Sequence, residues 1–194
     1  MELIEPSATW LLGRESDVTS QFGEDGLIAA ILERIGTANR WCFEVGASDG
    51  EFYSNTKRLR DDGWDALLIE GNADQYAKLT VIQSDRVRCV HYHVGPDHLD
   101  GLLDACSAPV NLDFGVIDID GQDWWVFDGL RRHRPRLIMV EFANGDVDAP
   151  IPLLGEASGQ AGYKAILSLG LSKGYKPICQ TQVNLIFVAD EVWH

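Results

Sequence analysis

Short apolar runs alternate along this chain with segments of helical periodicity. Trp41–Val45, Ala66–Glu70, Val87–Val94, Phe114–Ile119 and Arg136–Phe142 read as strands. Between them, Ser54–Asp62, Ala73–Gln83, Leu99–Ser107, Trp124–His133 and Tyr163–Lys173 read as helices. An earlier segment, about 25–36, sets Leu27, Ile28, Ile31, Leu32 and Ile35 on one stripe, and Gly36 supplies a stop. Leu67-Leu68-Ile69 and Leu137-Ile138-Met139-Val140 are apolar at consecutive positions, as in strands covered on both faces of a parallel sheet. Strand–helix alternation with short joints predicts right-handed βαβ units.

The end of the chain narrows the choice. Lys176–Gln180 and Leu185–Ala189 are separated only by Thr181–Asn184. A parallel crossover needs at least about ten residues, so this pair is expected to be an antiparallel hairpin. The expected fold is α/β: a doubly wound, Rossmann-like, mostly parallel sheet of seven strands with a C-terminal hairpin, the arrangement of class I S-adenosylmethionine (SAM) methyltransferases. Residues 1–194 read as one domain, with the core sheet at about 41–190 and no repeat or composition shift. The stretch Asn144–Ala161 holds Pro150, Pro152, Gly155 and Gly159 and is long for a joint, which marks a lid or substrate loop.

Composition adds exclusions. Hydrophobic residues are 45% and charged residues 24%, an ordinary globular mix. The formal charge of −14 disfavours nucleic-acid and membrane-surface partners. Cys42, Cys89, Cys106 and Cys179 form no CxxC pair, and three of them lie in apolar runs, so reduced core cysteines are expected. No apolar run approaches a membrane span, and the first residues lack the pattern of a secretory signal. The expectation is a cytoplasmic protein.

The chemistry gathers where strands end. The first long strand runs into Glu44-Val45-Gly46-Ala47-Ser48-Asp49-Gly50. Glycine there permits a sharp turn and a close ligand approach. Only Gly46 and Gly50 are glycine, so this is not the dinucleotide pattern, and an NAD enzyme is disfavoured. The spacing E-x-G-x-x-x-G is the methyltransferase form of the loop; an ordinary strand-to-helix turn is the alternative. Glu70 follows Gly46 by 24 residues and ends the next strand, the place for a carboxylate that accepts hydrogen bonds from a ribose. A solvated strand-end acid is the other reading. Ile117-Asp118-Ile119-Asp120-Gly121 ends a further strand, and period-2 geometry puts Asp118 and Asp120 on one face. Asp118 and Glu141, with Asn144 just after, end neighbouring strands. Such oxygen ligands suit Mg²⁺; alternatively, the acids cap a helix and bond substrate directly. His91 and His93 and the basic run Arg131–Arg136 read as structural or solvated features. One ring of Trp124-Trp125 is expected in the core and the other toward the pocket.

Ser20-Gln21-Phe22-Gly23-Glu24-Asp25-Gly26, Phe43–Gly50, Ser54-Asn55-Thr56, Leu68-Ile69-Glu70-Gly71 and Ile117–Gly121 form an ordered series that resembles the FkbM-type SAM-dependent methyltransferases. The resemblance implies SAM as cofactor and O-methylation of a hydroxyl on a small molecule, sugar, lipid or glycan. It assigns Glu44, Gly46, Ala47, Ser48, Asp49, Gly50 and Asn55 to the cofactor loop, and Glu70, Gly71 and Asn72 to the nucleoside. Asp118 falls beside the methyl group, as base or metal ligand with Glu141 as its partner. Gln21, Trp124 and Asn144 are the expected substrate contacts, with residues 21–25 folded over the pocket. A structural or assembly protein that keeps this fold without catalysis is the rival expectation.

Overall fold

The computed structural model describes residues 1–155 and 159–194. Its strands are β1 (Glu2–Leu3), β2 (Trp41–Val45), β3 (Asp65–Glu70), β4 (Val87–His91), β5 (Phe114–Ile117), β6 (Leu137–Glu141), β7 (Tyr175–Gln180) and β8 (Asn184–Ala189). Its helices are α1 (Glu24–Ile35), α2 (Lys57–Asp61), α3 (Ala73–Leu79), α4 (Leu99–Ala105), α5 (Asp123–Gly129) and α6 (Tyr163–Ser172). One eight-stranded sheet runs β1-β7-β8-β6-β5-β2-β3-β4. Strands β4, β3, β2, β5 and β6 are parallel; β8, β7 and β1 join antiparallel. The expected architecture is present with one strand more than expected. The extra one, β1, is two residues long and too short to leave a periodic signal.

The consecutive apolar positions separate onto the two sheet faces. Cys42, Leu68, Val116, Met139 and Ile186 meet α1, through Leu27, Ile28 and Ile31. Phe43, Leu67, Ile117, Ile138 and Phe187 meet α4, α5 and α6, through Leu103, Phe127 and Ile166. Gly115 lies under Phe43, whose ring occupies the space a Cβ would need.

Element ends are shorter than periodicity suggested, for local reasons. Strand β5 stops at Ile117 because Asp120 takes a left-handed backbone (φ 55°) and Gly121 follows at φ 152°. Asp118 and Asp120 therefore do not alternate on a strand face: Asp120 is exposed, whereas Asp118 is partly covered. Helix α5 stops at Gly129 rather than running to His133. The backbone N–H groups of Arg131, Arg132 and His133 donate instead to the Asp100 carboxylate, each at 2.9 Å.

The basic run after α5 is a set of straps. Arg134 pairs with Glu191 at 2.6 Å and covers the Tyr175 ring. The Arg136 guanidinium lies 3.1 Å from Asp113, which is fully buried. Asp113 also accepts from the N–H groups of Ala38, Asn39 and Arg40 at 2.6–2.8 Å, fixing the turn that feeds β2. Removing this carboxylate leaves three part-buried N–H donors without their partner, and leaves Arg136 with the Ile35 and Gly36 carbonyls but without its counter-charge. Asp113→Ala is expected to cost about 3–5 kcal/mol, read as a lower urea midpoint with an unchanged slope. A shift under about 1 kcal/mol contradicts this account.

Candidate functional site

The parallel register delivers the ends of β2, β3, β5 and β6 to one edge of the sheet. A cavity of about 1210 Å³ opens there. Among the residues expected from sequence, Glu44, Gly46, Ala47, Ser48 and Asp49 line it, as do Asn55, Glu70, Gly71 and Asn72. Asp118, Glu141, Asn144 and Gln21 also reach it.

Two expected residues do not. Gly50 (φ 75°) packs against Leu79 and Ile82 and gives its carbonyl to Arg60. Its glycine character serves the α3 contact, so it is absent from the lining. Trp124, in the first turn of α5, leans on the core, and Trp125 donates to the Pro152 carbonyl at 2.8 Å. Neither indole faces the cavity, contrary to the expectation of one ring on each side.

The Gly46 turn (φ 84°) is held by N–H bonds from Gly46 and Ala47 to the Ile69 carbonyl, at 2.9 and 3.0 Å. A Cβ on Gly46 would overlap the Asp118 carbonyl. The chain's own backbone therefore demands glycine here, before any ligand does. Glu70 stands across the turn. One of its oxygens accepts from the Ser48 N–H at 2.7 Å and the other from the Asn72 N–H at 2.6 Å. Asn72 in turn caps α3 by accepting from Asp74 and Gln75. Glu44 is spent on a loop: it accepts from Ser54 Oγ, Asn55 N and Thr56 Oγ1 at 2.6–2.9 Å. The Asn55 side-chain oxygen is buried and unpartnered at the cavity wall. Asp49 holds the next turn, accepting from Glu51 and Phe52, and these bonds lower its pKa.

Asp118 and Glu141 end neighbouring strands in the cavity wall, close enough for each to bear on the other's proton. Burial first, and then the charge of Glu141, pushes Asp118 well above the carboxylate range. Burial likewise raises Glu141, with the charge of Asp123 adding to it. Gln160 donates to Glu141 from the far side. The expected magnesium site is not supported: among the described residues no three His, Cys, Asp or Glu side chains form a metal-holding group, so Asp118, Glu141 and Asn144 do not gather as magnesium ligands.

Glu24 belongs to the segment 21–25 expected over the pocket, although no role of its own was expected for it. It opens α1, is buried, and lines the cavity. Its Oε1 accepts from Thr181 Oγ1 at 2.9 Å and Asn184 Nδ2 at 2.6 Å. Asn184 is the register partner of Glu141, so the distant segments 20–26 and 181–184 close the cavity from this side. Burial raises the Glu24 pKa to about 7. His93, beside Gly71, and Lys78 on α3 are the only basic side chains among the described lining residues. His91 is structural: its Nε2 lies 2.9 Å from the Gly71 carbonyl and its ring stacks on Tyr76. Of the loop Asn144–Ala161, residues 156–158 lie outside the described residues; Asn144 and Gly155 line the cavity.

No family model matches the chain, and no curated protein matches it either. Solved structures do. A Klebsiella pneumoniae protein named as a candidate O-methyltransferase is 15% identical and superposes with a TM-score of 0.57, over 95% of this chain and 90% of its own. CalS10 from Micromonospora echinaspora, a SAM-bound amino pentose methyltransferase, is 10% identical, with a TM-score of 0.51 over 85% of this chain and 91% of its own. TehB from Haemophilus influenzae is 13% identical, with a TM-score of 0.50; the match covers 84% of this chain but only 62% of TehB. The fold is that of the class I methyltransferases. Within this methyltransferase fold, the cavity lies at the C-terminal edge of the parallel strands, where α/β sheets take ligands.

The raised acids have a consequence for stability. An unfolded chain releases the Glu24 proton near pH 4.5, whereas the folded chain holds it to about 7. Stability therefore falls as pH rises through that window, by on the order of 3 kcal/mol for one such carboxyl. Urea midpoints measured from pH 5 to 8.5 should decline. Glu24→Gln keeps the acceptor for Thr181 and Asn184 and should flatten the decline; an equally steep variant excludes Glu24 as its source.

Proposed function

We propose that this chain is a SAM-dependent methyltransferase of the FkbM type that methylates a hydroxyl on a small molecule, sugar or glycan. The observation that carries the reading is the open cavity between the Gly46 turn and Glu70, with the acids Asp118 and Glu141 in its wall. The SAM-bound state of CalS10 and the candidate O-methyltransferase with the same fold support it.

The residues fit the cofactor. The cavity has room for it, its wall is acidic, and the buried Asn55 Oδ1 lacks a donor. SAM is a net cation, so Glu70, Asp118 and the spare Asn55 oxygen match its charge and its donors. Glu70 would bond the ribose, with Gly71 and Asn72 beside it, while Gly46–Asp49 face the amino-acid portion. When bound, SAM supplies an electrophilic methyl carbon. The Asp118–Glu141 pair, once deprotonated, would hold the acceptor's hydroxyl and accept its proton. A positioned base of this kind contributes about 10²–10⁴-fold. Because burial raises both pKa values, the rate is expected to climb as pH increases toward and past neutrality. Gln21 and Asn144 would contact the acceptor.

The acidic surface and four free cysteines suit a single-domain cytoplasmic enzyme acting without nucleic acid or membrane. No helix among the described residues is long and apolar enough to cross a membrane. Nothing in the structure or the comparisons supports the non-catalytic alternative.

Calorimetry is the direct test. SAM should bind and NAD should not. Glu70→Ala should raise the SAM Kd at least about tenfold, as expected for losing a charged acceptor. Glu70→Gln, which keeps an acceptor oxygen, should lose less. An undetectable SAM signal for the native chain, or an unchanged Kd in Glu70→Ala, overturns the assignment.

A further inference from the structure

Among the described residues six non-glycine positions take a left-handed backbone, and four of them line the cavity: Phe22, Ser48, Tyr53 and Asp120. Phe22 (φ 54°) and Tyr53 (φ 58°) are bulky, and this conformation is strained for such residues. Burial offsets the strain only in part, because Phe22 is 40% exposed, Tyr53 56% and the adjacent Phe52 71%.

The turn that presents these rings is nonetheless firmly built. Asp49 Oδ1 accepts from the Phe52 N–H at 2.9 Å, and Gly50 is wedged against Leu79 and Ile82. Beyond the pair, Ser54 is tied to Glu44 at 2.7 Å. Phe52 and Tyr53 meet edge to face at 5.1 Å and 81°. The result is a pair of exposed aromatic rings held in place at the rim of the cavity. Strain and exposure on a rigid turn indicate a surface shaped for a ligand rather than for the core.

The rest of the cavity says which ligand. Its wall toward β6 and β8 carries Glu24, Asp118, Glu141, Asn144 and Asn184. Asn184 is 2% exposed, and its Oδ1 has no partner. An anionic acceptor would face this acidic wall with only Lys78 and His93 as basic neighbours. A wholly apolar one would desolvate the carboxyls and supply no donors. A saccharide ring meets both demands: its C–H face stacks on an aromatic ring and its hydroxyls donate to carboxyl and amide oxygens.

We propose that Phe22, Phe52 and Tyr53 form a stacking platform that seats the ring of a neutral saccharide acceptor. The assignment rests on the methyltransferase reading for the reacting end of the cavity and adds the residues that select the acceptor.

The test uses the full chain saturated with S-adenosylhomocysteine on an array of neutral, acidic and amine-bearing glycans, with free oligosaccharides as competitors. The native protein should retain neutral glycans, and the matching free sugar should displace it. The double variant Phe52→Ala/Tyr53→Ala should lose at least tenfold in retention, while Phe52→Tyr keeps it. Calorimetry should find the S-adenosylhomocysteine Kd of the double variant within about twofold of native. Equal retention by the double variant, preference for acidic glycans, or a parallel loss of S-adenosylhomocysteine affinity overturns the platform. A native chain that binds S-adenosylhomocysteine but no glycan overturns the saccharide assignment alone; one that binds neither overturns the methyltransferase reading as well.

Discussion

A carboxyl group carried out of water needs a donor or a proton, and that constraint organises this molecule. The parallel strands end in acids at one edge, so folding gathers Glu44, Glu70, Asp118 and Glu141 around one cavity. Each is answered differently. Glu44 accepts from two hydroxyls and an N–H of the Ser54–Thr56 loop. Glu70 takes two backbone N–H groups and so braces the turn after β2 against the start of α3. Asp123, just beyond β5, accepts from Ile119 and Gly121, yet burial still raises it to about 6. Asp118 and Glu141 have mainly each other, and a proton is the simplest way for them to coexist. Among the described residues, this is the part of the edge where burial raises two neighbouring acids together.

Much of this was legible in the chain. Trp41–Val45 is a strand at the bounds its apolar run suggests, because five consecutive buried positions admit little else. The terminal hairpin followed from loop length alone. Site residues carried on strand ends, such as Glu70 and Glu141, were readable because topology fixes where strand ends go. What escaped notice depends on contacts between remote segments. Glu24 meets Asn184 across 160 positions, and no local spacing encodes that meeting. Gly50 and Trp124 were misplaced because type and position cannot say which way a side chain turns: one serves the Leu79–Ile82 contact, the other the core. Strand β4 was read through Val94 but ends at His91, where Tyr92 donates its N–H to the Glu70 carbonyl and the chain leaves the ladder.

The division of labour around the cavity is also informative. Gly46 is fixed by the Asp118 carbonyl, and Asn72 by the start of α3. Residues that resemble a cofactor motif are here required by the scaffold first. A motif of this kind persists because architecture and chemistry ask for the same residue. The rim differs: Phe52 and Tyr53 are largely exposed, and changes there need not unsettle the sheet.

Strand β1 has a role out of proportion to its length. It pairs Glu2 with Gln180 and Leu3 with Cys179, covering the outer edge of β7. On its other side β7 is paired with β8, with an irregularity between Pro177 and Cys179 where proline offers no N–H. Stripped of those two residues, β7 would present unpaired amides and carbonyls to any neighbouring molecule. An uncovered strand border is a template for sheet extension between chains, and hence for aggregation. The two-residue strand thus guards colloidal behaviour: trimming or crowding the start of this chain threatens its solubility before it touches its chemistry.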